Sequence, residues 1–265
     1  MGANIKNLRI RIKSVDSTLH LTNAMGLVAS SKIRKATEKM MKAREYSAAH
    51  EESINLLLAC RESEKSPFVK KHEGNRTKII VIAGDRGLAG GYNSNVFKLA
   101  AQYPDAEIRT IGKKAAERFD TAPISVEKFT YADCIGLARD LCRGYAENEF
   151  DKLFVIHTNY ISVMSQEAVI TQLLPLNTEN KKASTGIIFE PDELTVLNAL
   201  IPEYVAGKLY AFVRESNACE QVARRNAMDS ASKNAEDMLD SLYLEYNRAR
   251  QGAITQEITE IVAAY

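Results

Sequence analysis

The sequence has 265 residues, of which 45% are apolar and 26% are charged, and this composition is typical of a protein that folds in water. The length allows one large domain, or a helical rod joined to a compact domain. The basic first helix lacks interleaved aromatic residues and the rest of the chain is not basic, which argues against nucleic-acid binding. No apolar run is long enough to span a membrane.

Residues 1–61 are predicted to form one long helix. No proline occurs before Pro67, and the spacing of apolar and small residues alternates between three and four over about eight heptads, which is typical of a coiled coil. The seam positions are Ile5, Leu8, Ile12, Val15, Leu19, Thr22, Gly26, Ala29, Ile33, Ala36, Met40, Ala43, Ser47, His50, Ile54 and Leu57. Such a helix needs a partner that covers its apolar side.

The middle of this helix is rich in small residues from Ala24 to Ser31, directly before the basic residues Lys32, Arg34 and Lys35. Small side chains allow another backbone to approach closely, although glycine lowers helix propensity by about 1 kcal/mol. Two interpretations stay open for this segment. It either packs tightly against a second helix or forms a contact with a different, acidic protein.

An α/β domain is predicted over residues 77–190, after a charged linker at 62–76. Residues 77–83 are a nearly continuous β-branched run, which indicates a strand buried on both faces. The further predicted elements are strands at 106–111, 124–129, 152–158, 167–174 and 186–189, and helices at 96–102, 112–119 and 132–148. The last two strands are expected at an edge of the sheet because their connections are too short for a crossover helix.

A glycine-rich loop, residues 84–95, follows the first strand and precedes a helix, which is where a phosphate binds in nucleotide-binding proteins. The loop lacks the Gly-Lys-Ser/Thr ending of a P-loop, and its glycine spacing fits the dinucleotide fingerprint poorly. A nucleotide site is therefore the less favoured interpretation. The favoured one is a sharp turn that lies close to another chain.

Residues 191–202 are predicted to be a second linker, with Pro202 at the first position of a long helix that covers residues 203–265. Its predicted apolar face comprises Leu209, Phe212, Met228, Ala231, Ala235, Met238, Leu242, Tyr246, Ala249, Ala253, Ile258 and Ile261. Because both long helices join the same insert, they can pair only antiparallel. The predicted fold is thus an α/β insert domain with a long antiparallel coiled coil of the N- and C-terminal helices.

No catalytic constellation, metal site or cofactor site is predicted. The four histidines, His20, His50, His72 and His157, are each isolated from a nucleophile or a second ligand, and His157 is expected at the end of an edge strand. The four cysteines, Cys60, Cys134, Cys142 and Cys219, lack metal-ligand spacing and are expected to be reduced thiols. Nothing at the start of the sequence resembles a signal or transit peptide, which favours a bacterial protein that works in the cytosol.

Three segments, in this order, carry a resemblance to a known family. In the first segment, residues 22–36, an Ala-Met pair is followed by a Val-Ala-x-x-Lys-hydrophobic-Arg pattern. The second is the glycine-rich loop at residues 85–95, and the third is a C-terminal signature at residues 246–258. Gly252 in this signature stands where the family usually has alanine. Together they resemble the gamma subunits of F-type ATP synthases over essentially the whole chain. The resemblance implies a non-catalytic rotor, whose coiled-coil shaft turns inside the alpha/beta ring and couples transmembrane proton flow to ATP synthesis or hydrolysis.

The resemblance also implies partners and contact residues. The partners are three alpha and three beta subunits, the epsilon and delta subunits and the c-subunit ring, with neither nucleic acid nor a small-molecule substrate, on the cytoplasmic face of a bacterial membrane. By resemblance, the lower contact with beta involves Met25, Lys32 and Arg34, the upper contact with alpha and beta involves Arg250, Gln251 and Thr255, and the contact near the c-ring involves Phe189 and Glu190. The family loop corresponds to Asp85, Arg86, Gly87, Gly90, Gly91 and Asn93.

Two alternatives belong to other classes of protein. One is a freestanding nucleotide-binding module with a coiled-coil dimerisation arm. The other is a static coiled-coil tether, which is less favoured because pairing of the two helices within one chain leaves no free seam.

Overall fold

Two long helices, α1 (Gly2–Leu58) and α5 (Glu193–Ala263), flank the α/β insert in the sequence. The computed structural model describes residues 2–177 and 188–264, except for the side chains of residues 2–4 and 257. Two compact units are distinguished: residues 32–223 form one, and residues 1–31 with 224–265 form the other. In each unit a segment of α1 packs against a segment of α5, and the pairing is antiparallel.

The predicted seam of α1 is confirmed, because every seam position from Ile5 to Leu57 is buried or half-buried. In the helical unit, the hydroxyl oxygens of Thr22 and Ser232 lie 2.7 Å apart, and Arg9 donates to the hydroxyl of Tyr246 over 2.9 Å. In the larger unit, Lys208 of α5 pairs with Glu51 of α1 at 2.9 Å. The 3.5-residue repeat therefore produces the side-by-side contact that it predicts.

The insert contains a four-stranded sheet in the order β2-β1-β3-β4 within the described residues. The strands are β1 (Thr77–Ile82), β2 (Glu107–Ile111), β3 (Lys152–Tyr160) and β4 (Gln166–Leu174). Parallel pairing joins β1 to β2 and β3, whereas β4 is antiparallel to β3 at the edge, as predicted.

Both faces of the sheet are covered, which explains the β-branched run in β1. Successive side chains of a strand point to opposite faces, and Ile79 and Val81 pack with Val96 of helix α2 (Tyr92–Ala100). Ile80 and Ile82 belong to the main core on the other face, which includes residues of α1, α5 and helix α4 (Tyr131–Ala146). A short helix, α3 (Lys113–Phe119), follows β2.

The predicted strand at 124–129 is wrong, because the backbone groups of these residues bond to side chains. The N–H groups of Val126 and Glu127 donate to the carboxylate of Asp85, and the carbonyl oxygens of Val126 and Phe129 accept from Arg214. The carbonyl oxygen of Ile124 accepts the backbone N–H of Gly112 over 2.8 Å, but this one bond does not make a strand of the segment. Helix α2 also begins four residues earlier than predicted, at Tyr92 rather than Val96.

The predicted helix start at Pro202 is also wrong, since α5 begins at Glu193 and contains Pro202. Asp192 caps the helix: its carboxylate accepts the backbone N–H of Thr195 over 2.9 Å. Packing of the fully buried Leu197 and Ile201 outweighs the cost of about 3 kcal/mol that an internal proline imposes. Of the predicted strand at 186–189, residues 186 and 187 lie outside the described residues, and residues 188 and 189 are not in a strand.

The apolar face of α5 is predicted correctly only in part. The seam in the helical unit comprises Met228, Ser232, Ala235, Leu239 and Leu242, in steps of four and three. The predicted seam residue Met238 is 44% exposed, and Ile258 and Ile261 are 56% and 62% exposed. Sequence spacing placed the seam one residue early at Met238 because the step after Ala235 is four residues rather than three.

Candidate functional sites

Two of the small residues of α1, Gly26 and Ala29, are buried, and Gly26 lies against α5 of the same chain. A methyl group on the buried Gly26 would be 3.7 Å from the Cβ atom of Met228, and Ala29 is only 1% exposed. The first of the two interpretations of this segment, tight helix packing, is therefore confirmed. On the outer side of the same helix, Leu27 and Val28 are 74% and 57% exposed, a signal that the spacing analysis missed.

The residues predicted to contact a beta subunit differ in their surroundings. Met25 is half-buried in the helical unit, and Arg34 is exposed in the larger unit. Lys32 already has a partner in its own chain, since its Nζ atom lies 3.1 Å from Oε1 of Glu127. Both side chains of this ion pair are partly exposed, so it contributes at most about 1 kcal/mol and can be exchanged for another acidic partner.

Asp85 of the glycine-rich loop binds groups from two other segments of the chain. Its carboxylate accepts the hydroxyl of Ser125 over 2.6 Å and the backbone N–H groups of Val126, Glu127 and Lys113 over 3.0–3.2 Å. Burial raises the pKa of Asp85, but these hydrogen bonds outweigh burial and hold the pKa below its ordinary value. Asp85 therefore ties the loop to the start of α3 and to residues 126–127.

The same loop lies against α5 of its own chain. A methyl group on Gly84 would come within 2.8 Å of the Cδ atom of Glu220, which is 2% exposed, so the buried Glu220 side chain would have to move. Tyr92, at the start of α2, donates its hydroxyl to the carbonyl oxygen of Ser216 over 2.9 Å. The close approach predicted for this loop is therefore made with a helix of the same chain.

The remaining predicted loop residues shape the turn. Asn93 accepts the N–H of Gly84 over 2.9 Å and donates to the carbonyl of Arg86 over 3.3 Å, which closes the loop on itself. Gly90 has a φ of 56°, a left-handed conformation that glycine adopts without strain. Arg86 and Gly87 are exposed, and Gly91 is the N-cap of α2.

The predicted upper contact residues, Arg250, Gln251 and Thr255, are exposed on the last turns of α5. The hydroxyl of Thr255 donates to the carbonyl of Gln251 over 2.9 Å, which is a bond within the helix. Ile254 and Val262 in the same turns are 47% and 70% exposed. An apolar surface therefore accompanies the polar residues that the sequence indicated.

Phe189 and Glu190 precede α5. Phe189 is half-buried and packs against the main core, and Glu190 is exposed. Ile188, next to them, is 88% exposed, and a groove of about 600 Å³ lined by Glu62, Asp192 and their neighbours lies alongside.

The histidine predicted at the end of a strand lies inside one, because β3 continues to Tyr160. The ring of His157 stacks on Phe212 with centroids 3.9 Å apart, and burial lowers its pKa to about 4. All four cysteines lie within the described residues and none forms a disulfide. Residues 2–177 and 188–264 contain no cluster of three metal-binding side chains, and none of their helices could cross a membrane.

Comparison with known proteins identifies the family. Residues 4–265 match the ATP synthase family. The gamma chain from Ruminococcus albus is 43% identical over 287 residues and covers 99% of this chain and 98% of the relative. The gamma chain from Moorella thermoacetica is 39% identical over 98% of both chains, and a sodium-ion-specific gamma chain from Acetobacterium woodii is 35% identical over 99% and 98%.

Solved structures share the fold. The rotor of the Euglena gracilis mitochondrial ATP synthase contains a chain with a TM-score of 0.65 and 18% identity, covering 96% of this chain and all of that one. A chain from the central stalk and c-ring of the Tetrahymena thermophila enzyme gives a TM-score of 0.63 with 21% identity, covering 80% of this chain and 99% of that one.

These matches define the class of protein as a subunit of an ATP synthase. Within that class, the chain belongs to the family of ATP synthase gamma chains. The resemblance drawn from the three sequence segments is therefore confirmed.

Proposed function

We propose that this chain is the rotor that couples ion flow across a bacterial membrane to ATP synthesis or hydrolysis, without catalytic residues of its own. The observation that carries the proposal is the full-length match to gamma chains, together with the buried seam that joins α1 to α5. A rotor must resist bending, and two helices that bury a shared seam are stiffer than either one alone. We call this helix pair the shaft.

The geometry of the glycine-rich loop supports a role without nucleotide binding. A phosphate bound at this loop would lie near the carboxylate of Asp85, which N–H groups of Lys113, Val126 and Glu127 hold in place. Like charges at this distance repel each other. Energy would then reach the chain as torque from its neighbours rather than as a bound nucleotide.

The proposed partners are three alpha and three beta subunits, the epsilon and delta subunits and the c-subunit ring, at the cytoplasmic face of the membrane. In this arrangement α1 and α5 form the shaft, residues 77–190 form the foot, and residues 62–76 connect α1 to the foot. Met25, Lys32 and Arg34 would contact beta, Arg250, Gln251 and Thr255 would contact alpha and beta, and Phe189 and Glu190 would lie near the c-ring. The exposed Leu27 and Val28 add apolar area that a partner could cover.

Purification of the tagged chain from native membranes tests this assignment. Alpha, beta and epsilon subunits should be recovered with it, whereas recovery of the chain by itself would contradict the rotor function. Equilibrium dialysis with ATP, GTP and NAD separates the rotor from a freestanding nucleotide-binding module, since the rotor should show no stoichiometric binding.

The beta contact has its own test, the substitution Met25→Lys. A new charge on the half-buried Met25 should weaken coupling, so that fewer ions are pumped for each ATP hydrolysed. Gln102→Lys adds the same charge at an exposed position of the α/β domain and is the matched control. Equal coupling in both variants would remove Met25 from the contact.

A further inference from the structure

Three consecutive polar residues lie buried in the middle of α5. Arg214, Glu215 and Ser216 are 6%, 5% and 0% exposed. Because successive residues of an α-helix are about 100° apart, their side chains spread over about 200° of its circumference. We call these three residues the polar clasp.

The first residue of the clasp fixes the segment before α4. The guanidinium of Arg214 donates to the carbonyl of Val126 over 3.1 Å and to the carbonyl of Phe129. The hydrogen bonds of a planar guanidinium have a fixed geometry, and those from a charged donor are stronger than neutral ones. This side of α5 is thereby tied to the backbone between α3 and α4.

The second residue joins three elements at one carboxylate. Oε1 of Glu215 accepts the backbone N–H of Tyr160, at the end of β3, over 2.7 Å. The same oxygen accepts from the guanidinium of Arg44 in α1 over 2.5 Å, and Arg44 also donates to the carbonyl of Tyr160 over 3.1 Å. Arg44, Glu215 and the Tyr160 peptide therefore link α1, α5 and β3.

The third residue bonds to two further segments. The hydroxyl of Ser216 accepts the backbone N–H of Thr158 in β3 over 3.2 Å. The backbone carbonyl of Ser216 accepts a hydrogen bond from the hydroxyl of Tyr92, the first residue of α2. Three neighbouring residues of one helix are thus bonded to β3, to the start of α2 and to the segment before α4.

We propose that the polar clasp is the joint through which the shaft and the sheet domain exchange torque, a role that rests on the proposed function as a rotor. Apolar packing is non-directional and resists rotation of a helix about its own axis only through shape. Hydrogen bonds lose strength steeply when their angles change. Bonds on three sides of α5 therefore fix its angular position, and Arg44 extends the joint to α1. Arg214, Glu215 and Ser216 act as positioning residues.

A rotation assay on the assembled complex tests the joint. The alpha/beta ring is fixed to a surface, and a bead is attached to the sheet domain through Lys98→Cys, an exposed residue of α2, with the half-buried Cys60 changed to serine. The measured quantity is the angular spread of the bead while the motor pauses. Glu215→Ala and Ser216→Ala should widen this spread and lower the number of ions pumped per ATP, whereas Glu215→Gln, which keeps an acceptor oxygen for Tyr160, should lose less.

Lys208→Met is the matched control, because it removes an ion pair with Glu51 that joins the same two helices outside the clasp. Its angular spread should equal that of the parent. If Glu215→Ala does not assemble, Ser216→Ala and Glu215→Gln decide the matter. If the clasp variants lower the melting temperature but leave the angular spread at the parent value, the clasp residues have only a structural role. That result would contradict the proposed joint.

The two proposals fail in different ways. A parent chain that does not assemble with alpha and beta subunits, or does not rotate, overturns the rotor and the joint together. A parent that rotates, with clasp variants of unchanged spread, overturns the joint alone.

Discussion

The buried imidazole of His157 predicts that this protein loses stability in mild acid. His157 is 4% exposed, and its Nε2 atom lies 3.1 Å from the hydroxyl oxygen of Thr171. Burial lowers its pKa from 6.5 to about 4, against a backbone hydrogen bond with Thr158 that raises it, and the positive charges of Lys208 and Arg44 lower it further. The ring is therefore neutral in the folded chain at pH 7.

The sign of the effect follows from proton uptake. As the pH falls below 6.5, His157 in the unfolded chain binds a proton that the folded chain excludes until about pH 4. The free energy of unfolding therefore decreases across this window. At about 1.4 kcal/mol per pH unit, His157 alone removes about 2 kcal/mol between pH 7 and pH 5.

Urea unfolding of the full chain at pH 7 and pH 5, followed by tyrosine fluorescence, measures this loss. His157→Gln keeps a group that can bond to Thr171 but cannot be charged, so its loss between the two pH values should be about 2 kcal/mol smaller than that of the parent. Other groups titrate equally in both proteins and cancel. His20→Gln removes an exposed imidazole as a control. Equal losses in the parent and His157→Gln would refute the reasoning.

Three further predictions concern Gly112 before α3, Asp85 in the glycine-rich loop and Gly252 near the end of α5. Gly112→Ala should lower the free energy of unfolding, measured by thermal unfolding, by about 3 kcal/mol, because Gly112 has a φ of 113° and a methyl group would overlap the carbonyl of Ala83. Gly87 has open space around it, so the control Gly87→Ala should change this free energy by less than about 0.5 kcal/mol. Similar losses in the two variants would contradict this prediction. Asp85→Asn should lower the free energy of unfolding by about 2 kcal/mol at pH 7. In chemical denaturation, the difference in this free energy between the parent and the variant should shrink as the pH falls through the lowered pKa of Asp85. A difference that persists in acid would show that the charge of Asp85 is not the cause. Gly252→Ala should stabilise the exposed last turns of α5 by about 1 kcal/mol, so amide hydrogen exchange there should slow about fivefold, and unchanged exchange would mean that these turns do not open locally.

Much of the fold follows from local patterns in the sequence. The seam of α1 is set by a repeat that needs no knowledge of the partner, and β1 is recognisable because both of its faces are covered. The edge position of β4 follows from the short connection after β3, which leaves no room for a crossover helix. Each of these features depends on residues that are close together in the chain.

The errors occur where distant residues decide the local structure. Residues 124–129 have the composition of a strand, but Asp85 and Arg214 take their backbone groups. Pro202 looks like a helix start because proline is common at the first position of a helix. Inside α5, the free-energy cost of this proline is offset by core contacts that local spacing does not reveal. The ion pair of Lys32 with Glu127 likewise joins residues that are 95 positions apart.

The glycine-rich loop resembles a nucleotide-binding element in its sequence but has a structural role in this fold. Its Asp85 carboxylate accepts N–H groups from outside the loop, at Lys113 and Glu127. Asp85 accepts the backbone N–H groups of Val126 and Glu127 and so holds this segment in place. The carbonyl of Val126 in turn accepts a hydrogen bond from Arg214 of α5, and the carboxylate of Glu127 pairs with Lys32 of α1. Through Asp85 and the segment that it holds, the loop is connected to both long helices.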